Sequence, residues 1–122
     1  MSPESRDRCE RWLTDLAATL ERAADLVARG EEAFRADEAL PLAFEALANR
    51  VGDLAKRLTA AAPGEFTEPV WSQAARNRDF VVHHYDRLDT HALWNTVATA
   101  FPQLHAVVLA HLARRAHLAR RS

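Results

Sequence analysis

Three side chains that could carry out chemistry lie close together in the segment RNRDFVVHHY, residues 76–85. They are Arg78, His83 and Tyr85. An imidazole titrates near neutral pH whereas an arginine keeps its charge, and this pair suits metal-free cleavage of RNA. In that reaction a base takes the proton from a ribose 2′-hydroxyl, which attacks its own phosphorus, while a cation stabilises the charge on the phosphoryl oxygens. The segment therefore predicts a site for phosphodiester chemistry.

Arg78 occupies a position where a core residue is expected. Positions that share one face of a helix recur at steps of three and four residues, and here they are Trp71, Ala74, Ala75, Arg78, Val81, Val82 and Tyr85. A guanidinium is rarely buried without a partner, so this position implies a buried ion pair, a subunit interface or an anionic ligand. The ion pair could form with Asp79 or with an acid of the first two helices. The residues alone leave these three alternatives open.

The spacing of Arg78 and His83 raises a geometric problem. On one straight helix, residues five apart point about 140° away from each other. Either the helix distorts before His83, or two copies of the chain meet across a two-fold axis and residues of both line a shared cleft. We favour the second arrangement, which predicts a homodimer.

Other reactive residues indicate little further chemistry. Cys9 is the single cysteine, which excludes an internal disulfide and a thiolate metal cluster. His105, His111 and His117 are six residues apart and face different directions, whereas metal ligands on a helix need a spacing of three or four. No serine nucleophile elbow or phosphate-binding glycine loop is present. We therefore expect no metal and no cofactor for the reaction.

Composition predicts one all-α domain, residues 1–122. Only 3 glycines and 5 prolines occur and 48% of the residues are hydrophobic. Residues 1–70 contain 14 acids and 9 bases, whereas residues 71–122 contain 3 acids and 7 bases. The basic end at about 113–122, which we expect to fray, is compatible with phosphate contacts or with cations at a helix C-terminus.

No apolar run approaches the roughly 18 residues of a membrane span, so we expect a cytoplasmic protein without membrane contact.

The apolar pattern predicts an antiparallel bundle of four main helices and a short one. Ser2 with Pro3 begins the first helix and Gly30 ends it. The second helix follows, and residues 61–68 form a loop before the helix that carries the motif, which starts near Pro69 or Ser72. In the remaining sequence, Asp89 caps the short helix and Pro102 begins the last helix.

The motif also resembles a known family. Arg78-x4-His83-x-Tyr85, with a polar residue directly after the arginine, resembles the signature of HEPN-domain ribonuclease toxins of the HepT-like group, which are partnered by minimal nucleotidyltransferase antitoxins. The resemblance covers roughly residues 70–112, whereas the first two helices match only in length and amphipathic character. Its further elements are Trp71 seven residues before Arg78, the acidic turn 86–89, the pair Leu93-Trp94 and the step Phe101-Pro102-Gln103-Leu104.

This resemblance implies a homodimeric HEPN-like bundle that acts as the toxin of a type VII-like toxin–antitoxin system. The RNA-cleaving cleft would lie at the subunit interface. Arg78 would bind the scissile phosphate, His83 would be the acid or base, and Asp79 would hold one of them in place. Tyr85 would be the hydroxyl that the antitoxin adenylylates from ATP, which would silence the toxin.

Several alternatives remain. Arg76 with His83, or Arg78 with His84, also satisfies the looser spacing of the wider HEPN group, but only the chosen pair leaves Tyr85 two residues after the histidine. The same cleft could bind a nucleotide or a substrate for a nucleotidyltransferase without cleaving RNA. A purely structural dimer, with Arg78 paired internally, is the third possibility. The target, messenger or transfer RNA, and the number of AMP units are not specified by the sequence.

Overall fold

The chain folds into a bundle of α-helices. The computed structural model describes residues 2–83 and 89–121, and of residues 79–83 the backbone only. The predicted all-α fold is confirmed, and no strand occurs in the described ranges. The elements in chain order are α1 (Pro3–Val27), α2 (Glu31–Ala36), α3 (Ala39–Ala61), α4 (Pro69–His83), α5 (Thr90–Asn95), a π-helical turn (Thr96–Ala100) and α6 (Phe101–Arg121).

One hydrophobic core joins the four long helices. Helix α3 packs most extensively against α4 and then against α1, and α1 also packs against α6. The motif helix α4 is therefore held mainly by α3. The core includes Leu13, Leu16 and Leu20 of α1, Phe44, Val51 and Leu58 of α3, Trp71 of α4, and Leu104 and Val108 of α6.

Two predicted helix starts are confirmed by their capping bonds. Ser2 Oγ accepts a hydrogen bond from the Ser5 amide at 3.1 Å, and Pro3 occupies the first helical position, where no amide donor is needed. Asp89 Oδ1 accepts from the Ala92 amide at 3.0 Å and starts α5. The bundle therefore begins where local side-chain chemistry predicts.

The short helix α2 was not predicted, and Gly30 does not end α1. Helix α1 ends three residues earlier, and Gly30, with φ 95°, precedes α2. One buried side chain anchors α2: Phe34 is 1% exposed, and its ring lies 4.7 Å from the ring of Phe44 and 5.3 Å from that of Trp94. Because Phe34 is the only large apolar residue of α2, no periodic pattern signals this helix.

Pro102 does not open a separate helix, contrary to the prediction. Residues 90–121 form one continuous helix in which the π-helical turn accommodates the proline. The amide of Phe101 donates to the carbonyl of Thr96, five residues earlier, and Pro102 has no amide to donate. The wider turn also keeps apolar residues four apart on one buried face, namely Leu93, Val97 and Phe101.

By length and composition, this continuous helix is the one segment of the described ranges that could cross a membrane. Polar residues interrupt its apolar stretches, so no uninterrupted apolar run of the sequence reaches the length of this helix. The inner face of α6 packs against α1 and α4 and buries Leu104, Val108 and His111. A core helix of a bundle meets the same length and composition criteria, so this observation alone does not indicate a membrane protein.

Candidate functional site

The start of α4 is fixed by a buried tryptophan. Trp71 is 1% exposed, and its indole Nε1 donates to Glu68 Oε1 at 2.8 Å. Its ring lies 5.0 Å from that of Phe66. Pro69 occupies the first position of α4, where a missing amide costs no hydrogen bond. These contacts fix the position and the axial rotation of the helix that carries the motif.

Arg78 lies on the same face of α4, two turns after Trp71. Ala74 lies between them and is buried, and Arg78 itself is half-buried with its Nε atom inside the protein. The predicted inward position of Arg78 is therefore confirmed. Its hydrocarbon stem lies within the bundle, so the position of its guanidinium depends on the packing of α3 against α4.

A glycine of α3 makes room for Arg78. A Cβ atom at Gly52 would overlap the Arg78 Cβ, would lie 2.9 Å from its Cγ and would lie 3.0 Å from the Ala74 carbonyl oxygen. Real Cβ atoms do not approach carbon atoms this closely, so the two helices meet here only because residue 52 has no side chain. Gly52 was not predicted as a site residue, although a glycine in the middle of an amphipathic helix is a signal for a close approach.

The backbone of α4 remains helical through His83. The alternative in which the helix distorts before His83 is therefore wrong, and positions 78 and 83 are turned about 140° apart on one helix. Asp79 also lies on α4, while Tyr85 and His84 lie outside the described residues. The roles assigned to the side chains of Asp79, His83 and Tyr85 stay predictions.

Arg76, the arginine of the alternative pairing, has a different environment. Its side chain is exposed, and its Nη2 donates to Gln73 Oε1 at 2.9 Å. Gln73 Nε2 in turn donates to Asn77 Oδ1 at 3.0 Å. Arg76 therefore belongs to a row of polar surface residues, whereas Arg78 packs against α3. This difference makes the two arginines a matched pair for experiment.

A second polar cluster, which the sequence analysis missed, lies at the beginning of α4. His111 of α6 is 1% exposed, and its Nε2 lies 3.0 Å from both carboxylate oxygens of Glu68. An ionised carboxylate can only accept hydrogen bonds, so Nε2 carries the proton. His111 continues the apolar stripe of α6, three residues after Val108, and this spacing was the available signal.

An ion pair between Arg115 and Glu65 extends this cluster by one turn along α6. Arg115 donates to Glu65 through Nε at 2.9 Å and Nη2 at 2.7 Å, and its Nη1 donates to the Arg6 carbonyl oxygen at 3.2 Å. The hydrogen bond to Glu65 raises the pKa of Arg115 above its ordinary value. One of the four C-terminal arginines is thus engaged within the fold. The segment expected to fray is helical through Arg121, with Arg115 joined to α1 and to the loop before α4.

The described residues contain no group of three or more His, Cys, Asp or Glu side chains that could hold a metal ion. The carboxylates around His111 are instead engaged by Trp71 and Arg115.

A family model described as "Ribonuclease HepT-like" matches residues 16–110, from the middle of α1 to the middle of α6. This range is more than three quarters of the chain and contains Gly52, Arg78 and His83. The chain belongs to the HepT-like ribonuclease family. The resemblance inferred from the motif is confirmed, and the match includes the second half of α1 and all of α3, where the sequence had indicated only similar length. No match was found among curated proteins or among solved structures.

The cluster around Glu68 predicts a pH dependence of the stability of this HepT-like protein. Burial alone would raise the pKa of Glu68, but the hydrogen bonds from His111 and Trp71 outweigh burial and lower the pKa below its ordinary 4.5. A carboxylate with a lowered pKa stabilises the fold above its unfolded pKa, and this contribution is lost as the pH falls through the folded pKa.

We therefore expect the free energy of unfolding of Glu68→Gln to fall less than that of the wild type between about pH 5 and about pH 3. Urea unfolding across this range measures the difference, and Glu38→Gln, at an exposed position of the chain, serves as the control. Parallel pH profiles for the wild type and Glu68→Gln would contradict the assignment.

Proposed function

We propose that this HepT-like protein is a toxin that cleaves RNA without a metal ion, acting as a homodimer, with Arg78 and His83 as the catalytic residues. The observation that supports the proposal best is the half-buried Arg78, placed by α3 in a chain whose family is a ribonuclease family. A permanent cation positioned by a rigid helix contact is suited to a phosphodiester.

The proposed reaction is a transesterification within the RNA. Neutral His83 takes the proton from the ribose 2′-hydroxyl, the 2′-oxygen bonds to the phosphorus, and the bond to the 5′-oxygen breaks. Arg78 stabilises the negative charge on the non-bridging oxygens. The leaving 5′-oxygen takes up a proton from water, and the hydroxide so formed is neutralised by the proton that His83 gives up. The products are a 2′,3′-cyclic phosphate and a 5′-hydroxyl. Asp79, next to Arg78, would hold one of the two catalytic groups in orientation.

The helical backbone between Arg78 and His83 supports the dimeric site. Since the two positions diverge by about 140° on one helix, a single copy of α4 directs them to different sides. A second copy across a two-fold axis would bring an arginine from one chain beside an imidazole from the other. We therefore place the cleft at the subunit interface.

Because the motif resembles that of toxins partnered by minimal nucleotidyltransferase antitoxins, we propose a nucleotidyltransferase as the partner. It would transfer AMP from ATP to Tyr85: the phenolic oxygen bonds to the α-phosphorus and pyrophosphate leaves. The added phosphate would bring negative charge and bulk beside Arg78 and so block RNA binding. Both proteins would act in the cytoplasm.

Cleavage of RNA in the presence of a chelator tests the first part. We expect fragments that end in 2′,3′-cyclic phosphate, and we expect Arg78→Ala and His83→Ala each to lower the rate by about 10²-fold or more, because each removes a group that acts in the transition state. Mass analysis of the fragment ends and initial rates give the result.

Arg76→Ala is the matched control, two residues away on the exposed face of α4. It should cleave at close to the wild-type rate. A large loss in Arg76→Ala together with normal cleavage by Arg78→Ala would show that the alternative register is the correct one. A wild type that binds RNA or nucleotides without cleaving RNA would instead identify a binding module.

Modification by the partner is tested separately. Incubation with the cognate nucleotidyltransferase and ATP should add about 329 Da per AMP unit to Tyr85 and abolish cleavage, since the phosphate would occupy the site of the substrate anion. Tyr85→Phe lacks only the acceptor hydroxyl and should stay unmodified and active. Gain of the same mass by Tyr85→Phe would refute Tyr85 as the target.

A further inference from the structure

We infer that Gly52 is a positioning residue for Arg78. Because residue 52 has no side chain, α4 can approach α3 closely, and this close approach determines where the guanidinium of Arg78 lies. This inference rests on the proposed function, because it concerns the same arginine. It adds a residue on a different helix, 26 positions earlier in the chain, which the motif does not contain.

The first observation is that Gly52 has no conformational reason to be glycine. It lies inside α3, and Gly30 is the residue with positive φ in the described ranges. Glycine inside a helix is destabilising relative to alanine. An alanine would satisfy the helix better, so the requirement at residue 52 comes from what packs against it.

The second observation is the identity of the atoms that pack there. An added Cβ would overlap the Arg78 Cβ, which is attached directly to the backbone of α4 and cannot rotate away. It would also lie 3.0 Å from the backbone carbonyl of Ala74, one turn earlier. Relief therefore requires α3 and α4 to move apart at this point, by on the order of 1 Å to reach an ordinary carbon–carbon separation.

The third observation is that Arg78 cannot follow such a shift freely. Its Nε atom is already buried, and α4 is fixed at its start by Trp71 and Glu68. A displacement at residue 78 is therefore transmitted to the guanidinium rather than absorbed along the chain. A displacement of about 1 Å in a catalytic group can cost about 10²-fold in rate.

The test is Gly52→Ala, with two readouts. Its kcat for RNA cleavage should fall by about 10²-fold. The second readout is the salt dependence of binding to a strand of the substrate sequence that carries 2′-O-methyl groups and so cannot be cleaved. The magnitude of the slope of log affinity against log salt concentration should fall by about 0.7, the value expected for the loss of one phosphate contact. Arg78→Ala should show the same decrease, and the double variant should show no more than either alone.

Two controls separate positioning from a general loss of stability. Gly64→Ala adds the same methyl group where no atom lies within 4 Å, and it should behave as the wild type. Val51→Ala removes buried volume from the same helix, so its melting temperature should fall while its salt slope stays unchanged. If Gly52→Ala does not fold, Gly52→Ala/Arg78→Gly restores the space from the other side and should fold.

The outcomes distinguish this inference from the proposed function. If Gly52→Ala keeps the wild-type kcat and salt slope while Arg78→Ala is inactive, the positioning role of Gly52 is overturned and the proposed function is not. A Gly52→Ala/Arg78→Gly protein that stays unfolded would also overturn the positioning role. A wild type that never cleaves RNA would overturn the proposed function. In that case the amide NMR shifts of residues 74–78 in Gly52→Ala still test whether α4 moves.

Discussion

The close approach of α3 to α4 is the constraint on which the site depends. Gly52 provides the space, and the stem of Arg78 occupies it. Partial burial of an arginine carries a desolvation cost for its charge, which polar contacts must offset. Here the contact between α3 and α4 fixes the first carbon atoms of the Arg78 side chain, so only the outer part of the side chain can still rotate. Such restriction is what a group that must meet a phosphate in one orientation requires.

A second set of contacts fixes the other end of α4. Trp71, Glu68 and His111 form one hydrogen-bonded group at its first turn, and the neighbouring pair of Glu65 with Arg115 joins this region to α1 and α6. Trp71 lies two turns before Arg78 on α4, and we assign no chemistry to these residues. Their role is to resist translation and rotation of α4, so that the close contact at Gly52 determines the position of the arginine.

The sequence predicted what local patterns determine and missed what depends on distant partners. Capping by Ser2 and Asp89 and the inward position of Arg78 follow from residue types a few positions apart, and all were predicted correctly. Helix α2 depends on the ring of Phe34 packing against the rings of Phe44 and Trp94. The π-helical turn depends on Pro102 lying in a helix that tertiary packing keeps continuous. Gly52 and His111 likewise acquire their meaning only from residues 26 and 43 positions away, Arg78 and Glu68.

The claim that most needs a direct measurement is that Arg78 of one chain works with His83 of the other. Arg78→Ala and His83→Ala should each be inactive as homodimers, and a 1:1 mixture that has exchanged subunits should recover about one quarter of the wild-type rate, because half of the dimers then contain one of two intact pairs. Native mass spectrometry verifies that heterodimers have formed. Heterodimers no more active than their parents, or a protein that sediments only as a monomer, would contradict the shared site.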